Sequence, residues 1–178
     1  MTRPKVDLVT IDVARINDVC DAYFKWKSLN DSIKNYCSRG TNFPETISEP
    51  MGCYVLSKLQ EEETKWNKGS GGDAKRGTQK IEMKATSNFD SDLTTFGPKA
   101  SFDDLVFLRL DYEQNKLYVY DTGLNSDDVK KLPVNQNETI EDHQMQKRRP
   151  HVSLIKALIE DRGLEPTGVF NIRRAEVE

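Results

Sequence analysis

Asp73, Glu82 and Lys84 fall within fifteen residues of one another, in the stretch Gly71-Gly-Asp-Ala-Lys-Arg-Gly-Thr-Gln-Lys-Ile-Glu-Met-Lys-Ala85. Two carboxylates and a lysine suit the hydrolysis of a phosphodiester. That reaction needs a hard divalent cation to bind the scissile phosphate and activate a water. Mg2+ takes oxygen ligands and usually keeps several waters, so two neighbouring carboxylates supply a suitable half-shell. A lysine beside them lowers the pKa of the attacking water and offsets charge building on the phosphate. Mg2+, with Mn2+ able to substitute, is the cofactor expected at Asp73 and Glu82.

The spacing makes this geometry available. Glu82 and Lys84 alternate with Ile81, Met83 and Ala85, which puts the charged pair on one face of a strand and the apolar residues on the other. If Gly77-Thr78 is a two-residue hairpin loop, Asp73 lies directly across from Glu82 with its side chain on the same face. A glycine in the first loop position suits a type II′ turn. The bare Asp/Glu-x-Lys pattern occurs four times, at Glu63/Lys65, Asp73/Lys75, Glu82/Lys84 and Asp128/Lys130. Only Glu82/Lys84 has apolar alternation around it and an upstream acid behind a glycine turn. A plain charge pair on an exposed strand face is the alternative reading.

The elements that must position these residues can be read from periodicity. Val13, Ile16, Val19, Cys20, Tyr23, Phe24 and Leu29 recur at helical spacing over 12–29. A second short helix is expected over 31–37, closed by Gly40, and a loop over 41–47. Ser48-Glu49-Pro50 reads as the start of a third helix running to Leu59. After the break at Gly69-Ser-Gly-Gly72, strands are expected around 81–85, over 105–110 and over 117–120, the last two joined by a tight turn at Glu113-Gln-Asn-Lys116. Leu154, Ile155, Leu158 and Ile159 mark a helix over 151–162 ended by Gly163, and 169–172 reads as a last edge strand. Residues 1–178 are expected to form one α/β (α+β) domain, a central mixed sheet of three or four strands flanked by helices.

Composition narrows the function classes. The formal net charge of −3 disfavours non-specific coating of nucleic acid, yet it suits carboxylates that hold metal with basic residues concentrated locally. No apolar run can span a bilayer, and Met1-Thr-Arg-Pro-Lys5 lacks the apolar stretch of an export leader, so a cytoplasmic protein is expected. Cys20, Cys37 and Cys53 are odd in number with no Cys-x-x-Cys pair, which reads as reduced thiols.

Two segments carry the residue types that contact DNA. Gln144-Met-Gln-Lys-Arg-Arg-Pro-His151 is the densest basic and amide-rich run, with Gln144, Gln146, Lys147, Arg148, Arg149 and His151 as candidate contacts. Arg pairs with guanine O6 and N7 through two hydrogen bonds, and Gln pairs similarly with adenine. The helix that follows could point its N-terminus at a phosphate. Residues 86–99 follow directly on the active strand and offer Asn88, Thr94, Thr95 and Lys99, with Ser87, to the DNA backbone or minor groove. Ordinary solvated loops are the alternative for both.

The order Gly-Gly-Asp-Ala, Ile-Glu-Met-Lys, Ala-Thr-Ser-Asn-Phe resembles the active-site stretch of PvuII-like type II restriction endonucleases of the PD-(D/E)xK superfamily. Along nearly its whole length the chain resembles the small type II restriction endonucleases that cut the interrupted palindrome GC-N-GC. Phe43-Pro-Glu-Thr-Ile-Ser-Glu-Pro50, Lys84-Ala-Thr-Ser-Asn-Phe89 and Arg148-Arg-Pro-His-Val-Ser-Leu154 carry the likeness. One departure is visible: the proline of the motif's name is Gly72 here. The resemblance implies a restriction-endonuclease-like fold and catalysis by Asp73, Glu82 and Lys84. It also implies a further metal-binding acid from an upstream helix, Glu49 first and Glu45 second. A palindromic duplex implies a homodimer with one active site per strand; the aromatics of the first third (Tyr23, Phe24, Trp26) either supply its interface or fill the monomer core. A cognate DNA methyltransferase is the implied functional partner. A junction-resolving or repair nuclease of the same fold, or a non-catalytic DNA-binding regulator, are the competing functions.

Overall fold

The computed structural model describes Thr2 and residues 5–178; the leader expectation falls partly on Met1, Arg3 and Pro4, outside the described residues. Eight strands form a single sheet in chain order: β1 (Leu8–Val9), β2 (Thr64–Asn67), β3 (Ala74–Arg76), β4 (Gln79–Thr86), β5 (Asp104–Asp111), β6 (Lys116–Asp121), β7 (Gly168–Asn171) and β8 (Glu176–Val177). Every neighbouring pair is antiparallel except β4 and β5, which are parallel. The mixed α+β architecture is as expected, with eight strands in place of three or four. The extra strands β1, β2, β3 and β8 are two to four residues long, too short to show alternation. For the same reason β7 is no edge strand: β8 pairs with its outer side.

Topology assigns the site its loop. Antiparallel neighbours join by tight turns, but a parallel pair needs a long crossover. Residues 87–103 are that crossover, and they leave the C-terminal end of β4 just beyond Lys84, after Ala85 and Thr86. The central strand β5 is apolar on both faces. Val106, Leu108 and Leu110 face a core built with α1 (Val13–Lys34) and α2 (Glu45–Leu59). Leu105 and Phe107 face a second core built with α3 (Ser126–Lys130), α4 (Ile140–Met145) and the π-helical α5 (Ile155–Glu160).

Three helical expectations change. The two N-terminal helices are one: α1 continues through 31–34, capped at its start by Asp12 accepting from Arg15 N at 2.8 Å. Helix α2 starts a turn earlier than Ser48, after the extended Pro44, and carries Pro50 in its interior. Helix α4 takes up Gln144 and Met145, which were expected in a loop. Of the two readings of the first-third aromatics, core filling holds for Tyr23 and Trp26, which pack against Phe43, while Phe24 is half-buried. Among the described residues no helix is long and apolar enough to cross a membrane.

Candidate active site

The β3–β4 hairpin holds the three expected residues in the expected register. Ala74 pairs with Ile81, Lys75 with Lys80 and Arg76 with Gln79, so Asp73 stands opposite Glu82 one step beyond the ladder. Gly77 has φ +57° and Thr78 has no positive φ, as the first position of a type II′ turn requires. Asp73 Oδ2 accepts a hydrogen bond from Met83 N at 2.7 Å, which fixes its carboxylate against β4. Lys84 Nζ lies 2.7 Å from Glu82 Oε1 and 5.5 Å from the centre of the Phe96 ring. Ile81 and Met83 are buried in the α1–α2 core, so the strand's other face can carry the charged pair.

Glu49 comes to the same place from α2. Its Oε2 accepts from Trp66 Nε1 of β2 at 2.9 Å. Gly52, one turn on, lets α2 lie close against the sheet: a Cβ there would stand 3.0 Å from Leu108 Cδ2 and 3.3 Å from Met83 Sδ. Glu49, Glu45 and Lys84 line one cleft of about 460 Å³ together with Thr86, Ser87 and Asp92–Thr95. Trp66 was hidden in sequence because the polar run Glu61–Lys65 masked the short strand around it.

Burial pushes the Glu49 carboxyl up to about 8, with the Asp73 charge adding to the rise and the Trp66 hydrogen bond opposing it. Burial likewise pushes Asp73 up to about 6, reinforced by Glu82 and opposed by the Met83 N–H and Lys84. Four acids therefore crowd one lysine. A divalent cation is the group that relieves such crowding. The donors are all carboxylate oxygens, which suits Mg2+ or Mn2+. In Asp73, Glu82 and Glu49 the hydrogen bonds and ion pair above occupy one oxygen each and leave the other for a ligand. Among the described residues no group of three or more acid, His or Cys donors stands at ligating spacing. The fit is thus that of an open half-shell completed by water and phosphate, not of an all-protein cage.

A family model for the Bsp6I restriction endonuclease matches residues 11–161 of the chain. The chain belongs to the Bsp6I restriction endonuclease family. The type II restriction enzyme Bsp6I of Bacillus sp. (strain RFL6) is 46% identical to it over 173 residues, 96% of this chain and 96% of that enzyme. The protein is accordingly a type II site-specific deoxyribonuclease, and its substrate is DNA. No solved structure matches the chain.

In this endonuclease the two candidate DNA segments form one surface. Thr94 and Val152 exchange both backbone hydrogen bonds at 2.9 Å, joining the crossover to the segment that leads into α5. Arg149 Nη2 donates to Thr95 Oγ1 at 3.2 Å, and both lie beside the cleft. Arg148 turns the other way, to Glu138 Oε1 at 3.7 Å and Gln146 Oε1 at 3.2 Å. Gln146 itself donates to Glu138, and Gln144 donates to Gly97 O at 3.5 Å. Lys99, Lys147 and His151 are exposed, and Lys147 sits at φ +57°. Asn88 is exposed, its side chain accepting from Asp90 N within its own turn. Thr94 is buried, and its hydroxyl donates to Asp92 Oδ2 at 2.7 Å, so this candidate contact is structural.

Asp92 also corrects the phosphate expected at the N-terminus of α5. Its carboxylate accepts from Ser153 Oγ, Leu154 N and Ile155 N at 2.8, 2.9 and 3.0 Å, filling that end of the helix with the protein's own anion. No sequence signal marks this partnership, because its halves are some sixty residues apart. His143, just before the basic run, is buried and lies 3.0 Å from Glu138.

Proposed function

We propose that this enzyme is a PD-(D/E)xK endonuclease that cuts double-stranded DNA at a short palindrome, GC-N-GC, in a Mg2+-dependent reaction. The observation that carries the reading is the hairpin that brings Asp73, Glu82 and Lys84 together beside Glu49 at a cleft mouth. Asp73 and Glu82, with Glu49, would hold the cation, which when bound polarises the phosphate and acidifies a water. Lys84, steered by Glu82 and resting against Phe96, keeps an ammonium where negative charge builds during attack. Thr95, Arg149 and Lys147 offer donors along one side of the cleft to a phosphate backbone and base edges.

One chain holds one such cluster, and a palindromic duplex presents two scissile strands, which supports a homodimer. A host that carries the enzyme then needs a methyltransferase to protect the same site, and its DNA substrate puts it in the cytoplasm. The test is plasmid digestion followed by mapping of the fragment ends. Discrete fragments with GC-N-GC ends are expected in Mg2+ or Mn2+, with binding but little cutting in Ca2+. Full cleavage in excess chelator removes the metal from the mechanism, and ends at another sequence remove GC-N-GC.

A further inference from the structure

A lone exposed leucine carries no message by itself, since scattered surface apolar residues are normal. Leu93 differs in where it stands and in how its backbone is held. Its side chain is 74% exposed at the rim of the cleft that contains Lys84 and Glu49. Asp92 on one side is tied by its carboxylate to Thr94 Oγ1, Ser153 Oγ, Leu154 N and Ile155 N. Thr94 on the other side exchanges two backbone hydrogen bonds with Val152. Further back, Arg109 of β5 stacks 3.7 Å from the Phe89 ring and donates to Phe89 O at 2.6 Å, pinning the start of the same loop to the sheet. The crossover is therefore fastened at three places, and Leu93 is the residue it lifts into solvent between two of them. Because both neighbours are anchored, the backbone holds Leu93 where its side chain meets solvent.

The surroundings say what meets the leucine. Next to Thr94, Thr95 accepts from Arg149, and that arginine with its exposed neighbour Lys147 makes this rim basic. Phosphates drawn to that rim bring the base stack, the apolar interior of a duplex, over Leu93. Proteins that bend or open DNA use Leu, Ile, Met or Phe in this way, entering between base steps.

We propose that Leu93 is a wedge that enters the bound duplex at a base step beside the cut and partly unstacks it. The proposal rests on the nuclease reading above and adds a residue to it. Wild-type enzyme and Leu93→Ala and Leu93→Met variants are titrated, in Ca2+, into a short duplex carrying the mapped cut site. A fluorescent base analogue with matching pairing (2-aminopurine for adenine, 6-methylisoxanthopterin for guanine, pyrrolocytosine for cytosine) replaces each base of the site and its flanks in turn. Wild type and Leu93→Met are expected to raise the fluorescence at one step. Leu93→Ala should lose that rise, bind about tenfold more weakly and cut more slowly. Its melting temperature should stay unchanged, because the side chain is outside the core, and so should the salt dependence of binding, because a wedge neutralises no phosphate. A wild-type enzyme that binds and cuts with no fluorescence rise at any step overturns the wedge and leaves the nuclease standing. So does a Leu93→Ala enzyme that keeps both affinity and the rise. A wild-type enzyme that neither binds nor cuts DNA in Mg2+ overturns both.

Discussion

The two ends of the β3–β4 hairpin carry two acid clusters that differ in what balances them. At the turn end, Arg76 sits between Asp104 at 2.7 Å and Asp121 at 2.9 Å, with Gln60 bridging Arg76 and Asp121 at 2.6 Å to each. All three charged side chains are largely withdrawn from water, at 12%, 7% and 15% exposure. At the other end Glu45, Glu49, Asp73 and Glu82 crowd one lysine, and Glu45, Glu49 and Lys84 line a cleft. The first cluster is closed by a protein cation; the second is left short of positive charge. A closed ion pair is a structural device whose rupture leaves a buried charge. An acid-rich cluster open to solvent stays in a fold when an external cation and an anionic substrate complete it.

The largest expected effect separates the two ends by activity. Glu82→Ala and Lys84→Ala should each reduce cleavage about a thousandfold or more while melting like the wild type, since both side chains stand on the site face and leave no core cavity. Lys65→Ala and Lys130→Ala, in the other Asp/Glu-x-Lys pairs, should leave the rate near wild type, because their side chains are 47% and 36% exposed partners of surface acids. Rates of plasmid cleavage decide it. Inactive Lys65→Ala beside active Lys84→Ala would place the chemistry in the wrong motif.

At the turn end the loss should be one of stability. Arg76→Ala strands two buried carboxylates and is expected to cost about 3–5 kcal/mol of folding free energy. Urea unfolding measures it. Cleavage per folded molecule, at a temperature where the variant is still native, should be unchanged. A variant that is stable but inactive would show that the two ends are not separate.

A smaller effect sharpens the active end. Arg149 leans on Thr95 beside the cleft, whereas Arg148 is held near Glu138, whose carboxylate also serves Asn135, Gln146 and His143. Arg149→Ala should cost about 1–3 kcal/mol of discrimination between specific and random DNA. Arg148→Ala should cost less and affect both DNAs alike. Binding in Ca2+ over a salt series distinguishes the two, and equal losses for both variants would argue against the division.

The geometry of the acid-rich end was legible in the sequence because it is local. A glycine at the first loop position and strict alternation at Ile81–Ala85 were enough to set Asp73 opposite Glu82. The helical signal of α1 was legible too, since one amphipathic run carries it. What sequence did not show depends on distant partners. Trp66 holds Glu49 from a four-residue strand with no alternation to read. Asp92 grips residues some sixty positions away. Tyr23 and Trp26 look the same in sequence whether they face a partner or a core; packing against Phe43 decides it. The buried triad of Arg76, Asp104 and Asp121 also escaped, its members spread over three strands.

That triad supports the smallest expected effect, a pH slope of its own. Burial and the neighbouring Asp121 push the Asp104 carboxyl up to about 7, while hydrogen bonds from its neighbours hold Asp121 below the usual carboxylate range. The signs are opposite. A carboxyl raised in the folded state stabilises when protonated, so the contribution of Asp104 is full below about pH 4 and is lost as pH rises through about 7. A lowered carboxyl stabilises when ionised, so the contribution of Asp121 is lost only as pH falls below about 4. Between about pH 4 and about pH 7 the slope from this cluster is therefore that of Asp104 alone, stability falling as pH rises. Asp104→Asn should flatten that part of the profile. The asparagine keeps an oxygen that can accept from Arg76 Nη2, so the variant should still fold. Urea midpoints across this range measure the difference between the two proteins. A variant profile that runs parallel to the wild type would mean that Arg76 keeps both acids ionised throughout, and that the turn end is a fully charged triad.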